Sequence, residues 1–130
     1  MNRSDMREKC MVILYQINMH ENKKLNYDIN EIILDNVKHS NDFIDGLVYG
    51  TMKNINEINE MANKYMIDWT IDRIDRPGAE ILRIGFYELM YTDTPKIVVI
   101  NEAIELAKKY SDESVKNIIN AALDKYIKEV

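Results

Sequence analysis

Apolar residues recur at steps of three and four along most of the chain, and this spacing places them on one side of an α-helix. Only four glycines and two prolines interrupt the pattern, so long helices with short connections are expected. The pattern therefore predicts an all-α protein, folded as a compact helical bundle of about six to seven helices in two subdomains.

The first predicted helix begins at Ser4 or Asp5 and ends near Asn22. Asp5 is followed three residues later by Glu8, and this spacing has the form of a capping box at a helix start. The apolar side chains on its inward stripe are expected to be Met6, Cys10, Ile13, Leu14 and Ile17.

Two further helices are expected before the middle of the chain. The second covers about residues 28–37. The third begins after Asn41 and continues to Tyr65 as one long helix. Gly46 and Gly50 lie within it, where they either permit close contact with another helix or mark a bend.

The middle of the chain contains the predicted boundary between two helical halves. Trp69–Ile74 has the character of a single helical turn, and Pro77 with Gly78 then predicts a break. We therefore divide the single expected domain into an N-terminal half of about residues 1–67 and a C-terminal half of about residues 68–130.

Three helices are expected after this break. The first covers about residues 78–90, with Gly85 at a place where a neighbouring helix can approach closely. The second begins at Pro95, for which Thr94 is the predicted N-cap, and the third is capped near Ser111.

The run Ile97–Ile100 consists of four β-branched residues, and propensity alone favours a buried strand there. A helix is favoured because no partner strand is indicated elsewhere and because Val99 continues a helical stripe. The expected inward residues of the last two helices are Val99, Ala103, Leu106, Ala107, Tyr110, Val115, Ile118 or Ile119, Ala122, Leu123 and Tyr126.

Charge is distributed unevenly along the 130 residues, whose formal net charge is −5. Residues 1–24 carry +2, residues 25–63 carry −5 and residues 64–130 carry −2. A polyanion would therefore bind most favourably at the N-terminal segment. Solvated helix faces of mixed sign explain the same distribution equally well.

Few residues in this sequence are suited to catalysis or metal binding. There is no Cys-x-x-Cys pair, no His-Glu-x-x-His motif and no glycine-rich phosphate loop. Cys10 lies on an apolar stripe and is expected to be an inert buried thiol. No enzyme activity, metal ion or cofactor is therefore expected. Without a leader or a spanning apolar segment, the protein is expected to be cytoplasmic and not in a membrane.

Three cationic residues near the N-terminus are candidates for binding phosphate groups. Arg3 and Arg7 are four residues apart and are expected to project on one side of the first helix, with Lys9 close to them. Arginine binds a phosphate through two parallel hydrogen bonds, and each such contact makes affinity salt-dependent.

Residues 81–89 and 100–108 form two motifs, which are followed by Asn120 and residues 123–125. Shorter motifs are Arg7-Glu8, Leu14-Tyr15-Gln16, Trp69 and Asp72-Arg73. In order and spacing, these motifs resemble those of the NusB family of transcription antitermination factors, most strongly over residues 81–125. The resemblance implies an all-helical domain that binds boxA RNA, pairs with the ribosomal protein NusE and, through these, helps RNA polymerase to pass terminators.

The resemblance also implies which residues contact RNA. The family commonly has an arginine-rich N-terminal run, of which Arg3 and Arg7 stand at matching places. Ile118 replaces a frequent Phe and lacks the roughly 1–3 kcal/mol of aromatic stacking, whereas Tyr110 can stack or can instead end a core stripe. The implied RNA contacts are Arg3, Arg7, Lys9, Tyr110, Lys116 and Ile118.

Two alternatives to an antitermination factor follow from the same sequence. The acidic net charge and the few arginines favour a protein-interaction module that keeps the fold but has little affinity for RNA. RNA cytosine methyltransferases carry a similar helical domain, so an accessory domain of such an enzyme is the other alternative.

Overall fold

The computed structural model describes residues 1–130 and contains seven α-helices and no β-strand, which confirms the predicted all-α fold. None of the seven helices combines the length and the apolarity that crossing a bilayer would require. The helices are α1 (Arg3–Asn22), α2 (Ile29–Asn36), α3 (Asp42–Lys53), α4 (Ile55–Tyr65), α5 (Arg76–Tyr91), α6 (Lys96–Tyr110) and α7 (Glu113–Glu129).

Side-chain caps determine where most helices begin. In five of them an Asn or Asp side chain accepts a hydrogen bond from the backbone N–H three residues later, at 2.7–3.1 Å. The first helix begins at Arg3, earlier than the predicted Ser4 or Asp5, because Asn2 Oδ1 accepts from the Asp5 N–H. The five capping residues are Asn2, Asp28, Asn41, Asp75 and Asp112.

The predicted third helix is two helices, separated at Asn54. The Asn54 side chain donates from Nδ2 to the Gly50 carbonyl oxygen at 2.8 Å, and its backbone leaves helical geometry at φ −109° and ψ 22°. A side chain that bonds to the backbone of its own helix competes with the helical ladder. The bend therefore comes from Asn54 and not from Gly46 or Gly50.

The predicted break at Pro77 and Gly78 is wrong, since both residues lie in the first turn of α5. Proline is tolerated there because the backbone N–H that it lacks would have no helical partner. Asp75 Oδ1 accepts from the Gly78 N–H at 2.7 Å and fixes the start of the helix. The preceding connection, residues 66–75, contains one turn closed by a bond from the Arg73 N–H to the Thr70 carbonyl.

The β-branched run at the start of α6 is helical, as predicted. Ile97 is 65% exposed and Val98 37%, whereas Val99 is only 2% exposed. One deeply buried residue in the run matches the spacing of a helix that presents one side to a core. A strand would have hidden alternate residues if one face were buried, and all four residues if both faces were buried.

The fifth helix occupies the centre of the bundle. It packs against α1, α3, α4, α6 and α7, and thirty buried residues from α1 to α7 form one hydrophobic cluster around it. Phe86 of α5 is completely buried beside Tyr65 and Tyr126, with ring centroids 6.4 and 5.4 Å away. The buried residues of both predicted halves therefore belong to one core, while the division near residue 67 stays a prediction.

Glycine allows α5 to lie close to two of its neighbours. A Cβ atom added to Gly85 would lie 3.0 Å from Leu123 Cδ2 of α7, which confirms the predicted close approach at this position. A Cβ atom added to Gly50 of α3 would lie 2.5 Å from the ring of Tyr87. The Tyr87 hydroxyl donates to the Gly46 carbonyl at 3.1 Å and holds that ring in place.

Candidate nucleic-acid interface

The first two turns of α1 pack against α5 and reach α6 through side chains, and Arg7 contacts both of these helices. The Arg7 Nε donates to Glu88 Oε1 at 2.7 Å, and a terminal guanidinium nitrogen donates to Glu88 Oε2 at 2.9 Å. The other terminal nitrogen lies 3.5 Å from Glu102 of α6. The hydrogen bonds to Glu88 raise the pKa of the Arg7 guanidinium above its ordinary value.

Arg7 lies on the same side of α1 as Arg3, since both guanidinium carbons lie over the Phe43 ring, at 5.3 and 4.2 Å, but the expectation that Arg7 is exposed is wrong. Only 4% of Arg7 is exposed, and its guanidinium already binds one carboxylate through two parallel bonds. A phosphate group does not have access to it. Arg7 instead joins α1 to α5, and the Thr94 hydroxyl completes the arrangement by donating to Glu88 Oε2 at 3.0 Å.

Arg3 is exposed, and its position is set by an aromatic ring. The Arg3 guanidinium carbon lies 4.2 Å from the centroid of Phe43 on α3, in cation–π geometry. Arg3, Phe43, Tyr87 and Thr92 line a surface cavity of about 270 Å³ between α1, α3 and α5. Arg3 therefore faces the side of α1 next to α3.

Lys9 is exposed on a different side of α1. Six residues separate it from Arg3, which corresponds to a rotation of about 240° around a helix. Lys9 lines a cavity of about 400 Å³ together with Glu8 and Tyr110. The structure thus brings Lys9 and Tyr110 together and directs Arg3 elsewhere.

Tyr110 ends α6 and is linked to α1 through Glu8. Its half-buried ring packs against the hydrophobic cluster, and its hydroxyl donates to Glu8 Oε2. Lys109 Nζ lies 2.6 Å from the same oxygen. The hydrogen bonds from Lys109 and Tyr110 lower the pKa of Glu8. The same two hydrogen bonds raise the pKa values of Lys109 and Tyr110.

The two predicted residues of α7 lie beyond the short connection that follows Tyr110. Lys116 pairs with Glu113 one turn earlier at 2.9 Å. Ile118 is half-buried against the hydrophobic cluster, and Ile119 is completely buried, so Ile119 is the core residue of the two alternatives. Lys116 and Tyr110 flank the connection Ser111–Asp112 and therefore lie at the same end of the bundle.

Sequence reasoning missed two lysines in the last turn of α6. The side chains of Lys108 and Lys109 are 54% and 61% exposed, and they lie beside α1 in a cavity of about 370 Å³ that Glu8 also lines. The sequence does contain an indication of this cationic site, because two adjacent lysines directly precede Tyr110. We call Lys9, Lys108, Lys109 and Tyr110 the α1–α6 surface.

Neither a reactive thiol nor a metal site accompanies this surface. No group of three or more His, Cys, Asp or Glu side chains is arranged to hold a metal ion. Cys10 is completely buried, and its burial raises the pKa of the thiol to about 12.

We expect Cys10 not to react with 5,5′-dithiobis(2-nitrobenzoic acid) in the folded protein. The thiolate is the reactive form, and both burial and the raised pKa keep its population very low near neutral pH. The absorbance of the released thionitrobenzoate measures the reaction. One equivalent should be released after unfolding in guanidinium chloride, and rapid release from the folded protein would contradict the placement of Cys10.

Comparison with known proteins shows that both the sequence and the arrangement of helices match one protein family. The model of the NusB family matches residues 4–128. The chain is 34% identical over 128 residues to the transcription antitermination protein NusB of Macrococcus caseolyticus, covering 98% of each chain. The solved structure of T. maritima NusB has a TM-score of 0.85 at 27% identity, covering 99% of this chain and 92% of that one.

A second solved structure contains antitermination factors NusB and NusE in complex with double-stranded RNA. Its matching chain has a TM-score of 0.81 at 23% identity, covering 98% of this chain and 97% of that one. This likeness establishes a shared fold.

Proposed function

Because this chain belongs to the NusB family, we propose that it is an antitermination factor binding boxA-type RNA of ribosomal RNA transcripts together with a NusE-like ribosomal protein. The observation that carries the proposal is the match over 98% of the length of a curated antitermination protein. Relatives that match over nearly their full length are transcription antitermination proteins, which argues against a methyltransferase accessory domain. A factor of this kind would act in the cytoplasm.

The α1–α6 surface supports RNA binding at this end of the bundle. Lys9, Lys108 and Lys109 can neutralise successive phosphates, and the exposed part of the Tyr110 ring can contact a base. Lys116 and Ile118 extend this surface onto α7, and Arg3 adds a cation on the α3 side. Arg7 has a positioning role in this proposal, because it holds α1 against α5.

A protein partner is part of the proposal, because the uncompensated positive charge on the surface is small. Glu8 pairs with Lys109, Glu105 pairs with Lys108 and Glu113 pairs with Lys116. A related solved structure contains NusE alongside NusB and RNA. We therefore expect weak RNA binding by the protein alone, contacts added by a NusE-like partner, and an indirect connection to the RNA polymerase elongation complex.

Fluorescence anisotropy of a labelled boxA-like RNA, with and without NusE and at two salt concentrations, tests the proposal. Binding should be weak without NusE, stronger with it, and weaker at the higher salt concentration. A scrambled RNA of the same composition is the control. If the protein binds NusE but shows no measurable affinity for RNA, even when NusE is present, a protein-interaction module would be favoured instead.

Reversing two exposed charges should weaken RNA binding strongly. We expect Arg3→Glu with Lys9→Glu to lower affinity about tenfold or more, and to reduce the slope of log affinity against log salt by about 1.4 for two phosphate contacts on a single strand. Both side chains are exposed, so the fold should be retained.

The matched control changes the net charge equally at the far end of α7. Lys125→Glu with Lys128→Glu reverses two exposed lysines there. The same titration measures both variants, after circular dichroism has shown equal thermal unfolding. Equal weakening by the two pairs would show that Arg3 and Lys9 are not specific RNA contacts.

A further inference from the structure

The carboxylate of Glu8 takes the place at which an external anion would bind the α1–α6 surface. Its Oε2 atom accepts from both Lys109 Nζ, at 2.6 Å, and the Tyr110 hydroxyl. An ammonium group and a phenolic hydroxyl converging on one oxygen are donors that bind a phosphate oxygen equally well. The lowered pKa of Glu8 is consistent with a carboxylate that stays ionised in this position.

Glu8 also stands between two surface cavities. On one side is the cavity of about 370 Å³ next to Lys108, and on the other is the cavity of about 400 Å³ next to Lys9. Glu8 and Asp5 are the two residues that line both cavities. Moving the Glu8 side chain would free Lys109 Nζ and the Tyr110 hydroxyl from their shared acceptor, beside a path from Lys9 to Lys108.

The contact that holds Glu8 is of a kind that exchanges readily. Glu8 lies on the surface of α1 with 26% of its side chain exposed, and its lysine partner is 61% exposed. An ion pair with a well-exposed lysine contributes little, because water solvates the ammonium group when the partners separate. A nucleic-acid phosphate can therefore compete with Glu8 for the two donors.

We propose that Lys109 Nζ and Tyr110 Oη form a phosphate subsite for the RNA backbone, and that Glu8 closes this subsite in the free protein. This inference rests on the proposed RNA-binding function. A phosphate must displace the Glu8 carboxylate to accept from both donors at once, so Glu8 lowers the affinity of the free protein. No bond is made or broken covalently, and the carboxylate returns when the RNA dissociates.

The substitution Glu8→Gln tests the subsite, because glutamine keeps the length and the acceptor of Glu8 but removes its charge. We expect a two- to fivefold gain in RNA affinity at low salt, about the range that one exposed ion pair contributes. The salt slope should become steeper by about 0.7, as for one additional phosphate contact on a single strand. In the Lys109→Met background the same substitution should give no gain.

Asp124→Asn is the matched control. Asp124 pairs with Lys128 at 2.8 Å on the last turns of α7, whose end lies beside the start of α6, as the 3.5 Å contact from Lys96 Nζ to the Val130 carbonyl shows. This variant removes one negative charge far from Glu8. Its RNA affinity should equal that of the unchanged protein, and an equal gain in both variants would overturn the subsite in favour of a net-charge effect.

Titrating each variant with both boxA-like RNA and polyuridylate of the same length separates this inference from the proposed function. A gain on both polymers without any preference for boxA would support the subsite and contradict the boxA assignment. Preference for boxA without a gain from Glu8→Gln would overturn the subsite and leave the function standing. Absence of binding to either polymer by all variants, with NusE present, would overturn both.

Discussion

Replacing Glu88 by glutamine should lower the free energy of unfolding by about 3 kcal/mol, as expected when one partner of a buried ion pair is removed. The side chains of Arg7 and Glu88 are 5% and 3% exposed and are joined by two hydrogen bonds. Glutamine keeps the shape of the site but leaves the guanidinium charge buried without its main counter-ion. The cost is therefore electrostatic and does not arise from a cavity.

Urea unfolding followed by circular dichroism measures this effect, and the m-value should stay unchanged. Glu102→Gln is the matched control, because Glu102 is a second carboxylate near Arg7, at 3.5 Å and with 23% of its side chain exposed. It should cost less than about 1 kcal/mol. If Glu88→Gln costs no more than Glu102→Gln, the buried pair does not hold α1 in the way described.

A double substitution tests the same pair from the other direction. Arg7→Met with Glu88→Leu removes both charges and fills the site with apolar groups of similar size. Replacement of a complete buried ion pair in this way is often close to neutral, so the double variant should recover most of the stability lost in Glu88→Gln. Failure to recover would point to the shape of the site and not to its charge.

Truncating Phe86 to alanine should lower the free energy of unfolding by about 3–5 kcal/mol, because the surrounding side chains cannot fill the space it leaves. Phe86 is completely buried at the centre of the bundle and packs against Tyr65 of α4 and Tyr126 of α7. The two tyrosine rings also contact each other edge to face, with centroids 5.3 Å apart. Removal of Phe86 therefore affects three helices at once.

The other phenylalanine of the chain is the control for this prediction. Phe43 is half-buried at the surface, where its ring lies under Arg3. Phe43→Ala should cost about 1–2 kcal/mol, since only part of its area is removed from water. Equal losses in the two variants, measured by the same urea unfolding, would show that Phe86 does not occupy the centre of the core.

The helices were largely predictable because their inward residues follow one period. Val99 at the start of α6 and Gly85 in α5 have the environments that their spacing indicated. The prediction failed where a local hydrogen bond interrupts the period. Asn54 ends α3 by bonding to Gly50, and the Asp75 cap extends α5 back through Pro77, and neither bond changes the pattern of apolar residues.

The candidate interface was predictable in part. Lys9 and Tyr110 lie beside each other although 101 residues separate them along the sequence. The spacing of Arg3 and Arg7 suggested a pair of exposed cations, but the partner that buries Arg7 is 81 residues away in α5. No local pattern distinguishes an arginine that faces solvent from one that faces a carboxylate of another helix.

The sequence by itself determined the helical class, the family and the inward sides of α1, α6 and α7, because these depend on residue types at short, regular separations. Only the tertiary structure decided which charges remain free. Charges interact through space, so the pairing of Arg7 with Glu88 and of Glu8 with Lys109 became visible only when α1 was placed against α5 and α6.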